Sequence, residues 1–142
     1  MPPRVEIAGR PIGEDYPTYF VAEIASNADG DLDRARYLIR LAKECGADAV
    51  KFQNFTAGNI VSDYGFETLG SQLSHQASWG KSVFETYRDA SLPFDWTPVL
   101  AEEAAGLGID YFSSPYDFSA IDHLEPYVPA YKAGSGLISW PQ

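Results

Sequence analysis

Leu32, Ala35, Leu38, Ile39, Ala42 and Cys45 recur at three- and four-residue spacing, which predicts a helix with one apolar stripe. Ser26-Asn-Ala-Asp-Gly-Asp31 supplies turn and cap chemistry before it, and Gly46 stands where a C-terminal cap belongs. The stripe places Cys45 in the core. The compact apolar run Tyr19 to Ile24 predicts a strand ahead of this helix, and Asp48 to Phe52 predicts the next strand after it. Phe94 to Leu107 reads as a second long helix ended by Gly106 and Gly108. A third strand follows at Asp110 to Ser113, a short helix at Asp117 to Leu124, and a fourth strand at Ala130 to Ala133 running into Gly134-Ser-Gly136. Residues 4 to 13 alternate apolar and polar positions around Gly9-Arg-Pro11, a hairpin pattern. The one long connection, residues 54 to 81, is rich in Gly, Ser, Asn and Gln.

Strands alternating with helices imply parallel pairing, so the fold class is α/β, either an open doubly wound sheet or a closed (β/α)8 TIM barrel. Eight βα units take about 250 residues, or roughly 31 each. A chain of 142 residues therefore accommodates about four such units, half of a barrel. The expected organisation is an N-terminal hairpin or extension over residues 1–15 and four βα units over 16–142. Such a fragment, with two strand edges unpaired, is expected to be inactive by itself and to associate.

Charge narrows the partners. Ten Lys and Arg against 20 Asp and Glu leave a net charge of -10, which disfavours nucleic acid and anionic membranes. No run approaches the ~18 apolar residues of a membrane span, and Met1-Pro-Pro-Arg-Val-Glu6 lacks a secretory signal; a cytoplasmic location is the expectation. Cys45 is the sole cysteine, which excludes an intrachain disulfide and, beside only His75 and His123, a Cys/His zinc site. Both histidines read as solvent-facing or packing residues.

Period-two alternation puts Ala49, Lys51 and Gln53 on one face of their strand and Val50 and Phe52 on the other. Helices cover the apolar face, so Lys51 and Gln53 lie inside, at the carboxyl end of the strand, where α/β enzymes build their sites. Glu23 ends the first strand on the face of Tyr19 and Val21, Ser113-Ser-Pro115 ends the third, and Lys132 with Ser135 ends the fourth. Two ammonium groups, several hydroxyls and the backbone of Gly134-Ser-Gly136 make a cradle for a small phosphorylated or carboxylated substrate. Plainer roles stand beside these. A lysine at a strand end can snorkel to water, Glu23 can serve as its ion-pair partner, and the serines can be turn or cap residues.

The blocks Val21-Ala-Glu-Ile24 with Asn27-Ala-Asp-Gly30, Gly46-Ala-Asp-Ala-Val-Lys-Phe-Gln53, Ser113-Ser-Pro-Tyr116 and Pro129-Ala-Tyr-Lys-Ala-Gly-Ser-Gly136 resemble, in order and spacing, the N-acetylneuraminate (sialic acid) synthase family from about residue 15 onward. The resemblance implies a (β/α)8 TIM barrel, with residues 16–142 as its N-terminal half, that condenses phosphoenolpyruvate with N-acetylmannosamine or a related aldose, releasing phosphate. Carried over by position, Lys51, Ser82, Ser114, Lys132 and Ser135 match phosphoenolpyruvate-binding residues, with Ser114 where threonine is usual. Ser82 comes from the loop-to-helix block Ser82-Val-Phe-Glu-Thr-Tyr87, and its plainer role is a helix cap. Glu23, Lys51 and Gln53 are implied as catalytic: Glu23 orients the sugar or moves a proton, and Gln53 hydrogen-bonds a substrate.

The resemblance also implies a divalent metal, Mn²⁺ or Mg²⁺, with ligands on later strands, and a homodimer of the full-length protein. Two positions depart from the pattern. An acidic residue is usual directly after Gly-Ser-Gly, where this chain has Leu137, and Ala28 stands where His is frequent. Alternatives are a degenerate barrel that binds an anionic metabolite without turnover, and a Schiff-base aldolase using Lys51 or Lys132.

Overall fold

The computed structural model describes residues 4–68 and 80–138. A two-stranded antiparallel hairpin, β1 (Val5–Ile7) and β2 (Arg10–Ile12), opens the chain. Its two-residue loop, Ala8-Gly9, has positive φ at both positions, 49° and 78°, the backbone twist that joins two strands tightly. The main sheet holds β3 (Val21–Ala25), β4 (Ala49–Asn54) and β5 (Asp110–Pro115), all parallel and in the order β3-β4-β5. Consecutive order without reversal is what a barrel wall requires, whereas an open doubly wound sheet reverses at a switch point.

Helix α1 (Leu32–Glu44) starts on Asp31, whose carboxylate accepts from the backbone N–H groups of Asp33 and Arg34. It ends as expected at Gly46, φ 86°. The connection after β4 is more ordered than its composition suggests, carrying α2 (Ala57–Ile60) and α3 (Asp63–Thr68); residues 69–79 within it, and with them His75, lie outside the described residues. Then come α4 (Val83–Ala90), α5 (Trp96–Leu107), closed by Gly108 at φ 63°, and α6 (Phe118–Leu124).

Helices α1 and α5 lie together on one face of the sheet. Ala35 and Ile39 of α1, Leu100 and Ala104 of α5, Val50 and Phe52 of β4 and Leu124 of α6 form the fully buried centre. On its outer side, Arg36 and Arg40 both donate to the Glu103 carboxylate, at 2.8 and 2.6 Å. A polar chain runs through this layer: Ser113 Oγ donates to Asn54 Oδ1 at 2.6 Å, and Asn54 Nδ2 donates to Thr97 Oγ1 at 3.4 Å, all three residues fully buried.

Two expectations are corrected. Cys45 is exposed, because α1 ends at Glu44 and Cys45 is the cap residue from which the chain turns away through Gly46. The fourth strand is reduced to one parallel bridge between Tyr131 and Ser113, with the Lys132 N–H donating to the Ser113 carbonyl at 3.2 Å. Among the described residues only β5 flanks this segment, and Gly134-Ser-Gly136 turns the chain into a 3₁₀ turn at Ser135–Leu137.

The hairpin is fastened to the amino ends of the strands. The Arg10 guanidinium pairs with the Asp48 carboxylate and lies 5.1 Å over the Tyr19 ring. Tyr19 donates its O–H to Asp110 at 2.5 Å and stacks on Phe112. The Phe20 backbone N–H, first, and then Arg10 hold the Asp48 carboxyl below its ordinary range. A depressed carboxyl stabilises the fold above the unfolded pKa of about 3.9 and loses that contribution as pH falls through its lower folded value. Asp48→Asn should therefore be less stable at neutral pH and show a shallower acid limb in urea midpoints between pH 7 and 2; an unaltered acid limb would contradict this anchoring. Asn54→Ala, which strands the buried Ser113 hydroxyl, should cost about 1–3 kcal/mol in the same unfolding experiment.

Candidate active site

Parallel register lays the inner-facing residues in rows. Glu23 of β3, Lys51 of β4 and Phe112 of β5 are aligned in one row; Gln53 and Ser114 are aligned in the next toward the carboxyl ends. The helices take the opposite face, so these side chains lie on the face α1 and α5 leave open.

Lys51 is 4% exposed, and its Nζ lies 2.6 Å from Glu23 Oε1, while the Glu23 side chain is more than half exposed. The ammonium is thus inside and its counter-charge reaches the open side. One of its three N–H donors goes to Glu23, leaving donors for an anionic ligand. In the next row Gln53 Nε2 donates to Ser26 Oγ at 2.6 Å. That contact depends on a bulge between Glu23 and Ala25, after which Ala25 takes the left-handed φ of 52°. Strain of this kind, of order 1–3 kcal/mol, collects at binding sites.

The two adjacent serines separate. Ser113 faces the helices and is satisfied by Asn54, whereas Ser114 faces inward, fully buried, its Oγ without a hydrogen-bond partner among the described residues. An orphaned buried hydroxyl costs about 1–3 kcal/mol, a cost that a ligand oxygen would relieve. Lys132 and Ser135 are both exposed. Tyr131 bonds to Glu125 and to the Ile121 carbonyl of α6, so alternation turns Lys132 to the inner side.

Ser82 behaves differently. Its Oγ accepts from the Glu85 N–H at 3.1 Å while Glu85 Oε2 accepts from the Ser82 N–H, a reciprocal capping box that starts α4. Its Oγ thus fills the plainer of its two expected roles, a helix cap, as an acceptor, which leaves the O–H donor for the other. Ala28 is 3% exposed within the core cluster around Ile24, so position 28 packs the fold in this chain. His123 packs between Phe94 and Tyr127. Among the described residues no group of three or more His, Cys, Asp or Glu could hold a metal ion, and no helix is long and apolar enough to cross a membrane.

Sequence reasoning missed the rim. Phe55, 3% exposed, meets Tyr87 and Tyr116 edge-on, each with ring centroids 5.8 Å apart. Asn59 Nδ2 donates to Asp117 Oδ2 at 2.7 Å, tying the segment after β4 to the start of α6. The signal was available in the alternation: 49, 51, 53 continues to 55, and 110, 112, 114 continues to 116. Glu23→Gln should destabilise the protein by about 1–3 kcal/mol, because it leaves the buried ammonium without its carboxylate, while Lys51→Met should be near neutral, since Glu23 returns to water. Urea unfolding of the two variants checks the asymmetry; the reverse order would contradict the assigned burial.

A consecutively ordered parallel sheet, helices on one face and an ion-paired lysine with an orphaned hydroxyl on the other define an α/β protein with a candidate site at the carboxyl ends of its strands. Residues 38–142 match the NeuB family, and the chain belongs to that family. The N-acetylneuraminate-9-phosphate synthase of Homo sapiens is 37% identical over 138 residues, covering 96% of this chain and 38% of its own. A pseudaminic acid synthase of Campylobacter jejuni is 32% identical over 123 residues, 85% of this chain and 35% of its own. Among solved structures, the N-acetylneuraminic acid synthetase of Leptospira borgpetersenii shares the fold with a TM-score of 0.75 at 24% identity, across 97% of this chain and 43% of that one. The spore coat polysaccharide biosynthesis protein SpsE of Bacillus subtilis gives 0.67 at 30% identity, across 92% and 33%. The chain spans less than half the length of these relatives.

Proposed function

We propose that residues 16–138 form part of the first half of a (β/α)8 barrel and carry the phosphoenolpyruvate side of a nonulosonic acid synthase. The observation that carries this reading is the buried Lys51, ion-paired to Glu23, one row from the orphaned hydroxyl of Ser114. The named synthases among its relatives supply the reaction class.

In this reading Lys51 and Lys132 hold the phosphate and carboxylate of phosphoenolpyruvate, and the hydroxyls of Ser114 and Ser135 donate to its oxygens. Charge-assisted bonds of this kind fix an anion in reacting geometry, and positioning can contribute several kcal/mol, about 7–11 at most. The methylene carbon of the enol then forms a bond to the aldehyde carbon of the acceptor, whose oxygen takes a proton. Water adds at the neighbouring carbon and phosphate leaves, so that phosphoenolpyruvate, aldose and water give a keto acid and phosphate. Glu23, reaching the open side, orients the acceptor or moves that proton, and Gln53 hydrogen-bonds a substrate. Ser82, which caps α4 as an acceptor, donates its O–H to the same anion. A divalent metal, expected from the family, would be held by residues outside those described.

The Schiff-base alternative is disfavoured by the 2.6 Å ion pair at Lys51, because imine-forming lysines are activated by desolvation or a neighbouring cation, not by a carboxylate. The test is phosphate release by the complete polypeptide with phosphoenolpyruvate, Mn²⁺ and a panel of N-acetylated and phosphorylated aldoses. Release should require an aldose and fall by about 100-fold or more in Lys51→Ala. Phosphoenolpyruvate binding with no phosphate from any aldose would make the protein a binding relative; borohydride trapping of a lysine adduct would make it an aldolase.

A further inference from the structure

Asn54 pairs with Pro115 at the last rung between β4 and β5, so the chain leaves the two strands side by side. Beyond that rung, Asn59 of α2 donates from Nδ2 to Asp117 Oδ2 at 2.7 Å, across 58 positions of sequence. Asp117 also starts α6: its Oδ1 accepts from the Ala120 N–H at 2.7 Å and from Ser119 Oγ at 2.6 Å. One carboxylate thus caps a helix with one oxygen and holds the connection after β4 with the other. Burial opposes its charged form, but hydrogen bonds from Asn59, from Ser119 and from the backbone outweigh it and hold the carboxyl below its ordinary range. The bond from Asn59 is therefore charge-assisted.

Packing seats α2 only in part. Phe55, just before it, is wedged between Tyr87 and Tyr116, but a hollow of about 400 Å³ lies between α2, α4 and residues 92–94, walled by Ala57, Phe84, Leu92 and Phe94. Side chains that face a void have no partner atoms on that side. Helix α4 packs against α2 and α3 and starts on Ser82, so what fixes α2 also fixes the start of α4. Asn59 is exposed; water competes for its amide, and the bond to Asp117 is one that opens and recloses.

We propose that Asn59 and Asp117 form a latch across the carboxyl ends of β4 and β5, through which Asp117, a positioning residue, sets α4 and with it the Ser82 hydroxyl against an anion held at Lys51 and Ser114. Strands carry two of these three groups rigidly, and the latch brings the third to them. The role of Ser82 rests on the synthase reading, whereas the latch itself does not, and two measurements separate their failures.

Two variants of the complete polypeptide part the latch from the helix cap. Asn59→Ala removes the bond and leaves the α6 cap intact; Asp117→Ser keeps a favoured cap residue whose shorter side chain does not reach Asn59. The first measurement is hydrogen exchange at the Val61 amide, which bonds the Ala57 carbonyl at the end of α2. Both variants should speed it about 3- to 10-fold, the worth of one hydrogen bond, with the Ala35 and Ile39 amides of α1 unchanged. Unchanged Val61 exchange in both overturns the latch. The second is calorimetric titration with phosphoenolpyruvate. Each variant should bind it about 3- to 10-fold more weakly, and Asp117→Asn, whose amide both caps α6 and bonds Asn59, should bind it as the wild type does. Added to Ser82→Ala, Asn59→Ala should cost less than about 2-fold more, because the group it positions is already gone. Full additivity with Ser82→Ala, or no weakening in either single variant, overturns the positioning role. A wild type that binds no phosphoenolpyruvate removes the synthase reading and the role of Ser82 with it, and Val61 exchange still decides the latch.

Discussion

Burying an ammonium is costly unless a carboxylate and further hydrogen bonds compensate it, and the Lys51–Glu23 pair is where this protein meets that constraint. The pair forms because β3 and β4 run parallel with Glu23 beside Lys51, and that register in turn depends on the apolar faces of both strands being clamped by α1 and α5. A one-residue slip of β4 would carry Lys51 into the helix layer and Phe52 to the open side. The site is therefore a consequence of core packing: Ile39, Leu100 and Phe52 hold the register, and the register holds the charge.

The two ends of the sheet do different work. At the amino ends, Arg10, Tyr19, Asp48 and Asp110 bind the hairpin to the strands through charged and aromatic contacts. At the carboxyl ends lie the orphaned Ser114 hydroxyl, the strained Ala25 and the Phe55 aromatic cluster.

Much of this was legible in the chain because both controlling signals are periodic. The three- and four-residue spacing from Leu32 to Ala42 marked α1, and the alternation from Ala49 to Gln53 put Lys51 and Gln53 on the inner face. Where periodicity stops, inference weakened. Ser113 and Ser114 are chemically identical neighbours, and only the sheet's pleat decides that one bonds Asn54 while the other stays unpaired. Cys45 fits the apolar stripe by number, but the helix has already ended there. Ala130 to Ala133 has strand-like composition, yet among the described residues it makes a single bridge, to Ser113. Phe55 and Tyr116 lie one residue past their strands, where a composition-based reading sees loop and packing sees a wall.

We propose the open face around Lys51 as an anion site that ligand oxygens complete. The most direct measurement is a crystal structure of the complete polypeptide with phosphoenolpyruvate bound. Phosphate or carboxylate oxygens should then lie within hydrogen-bond distance of Lys51 Nζ and Ser114 Oγ, with Glu23 still beside Lys51. Phosphoenolpyruvate bound at the α4 end around Ser82, with Ser114 Oγ left unpaired, would contradict it.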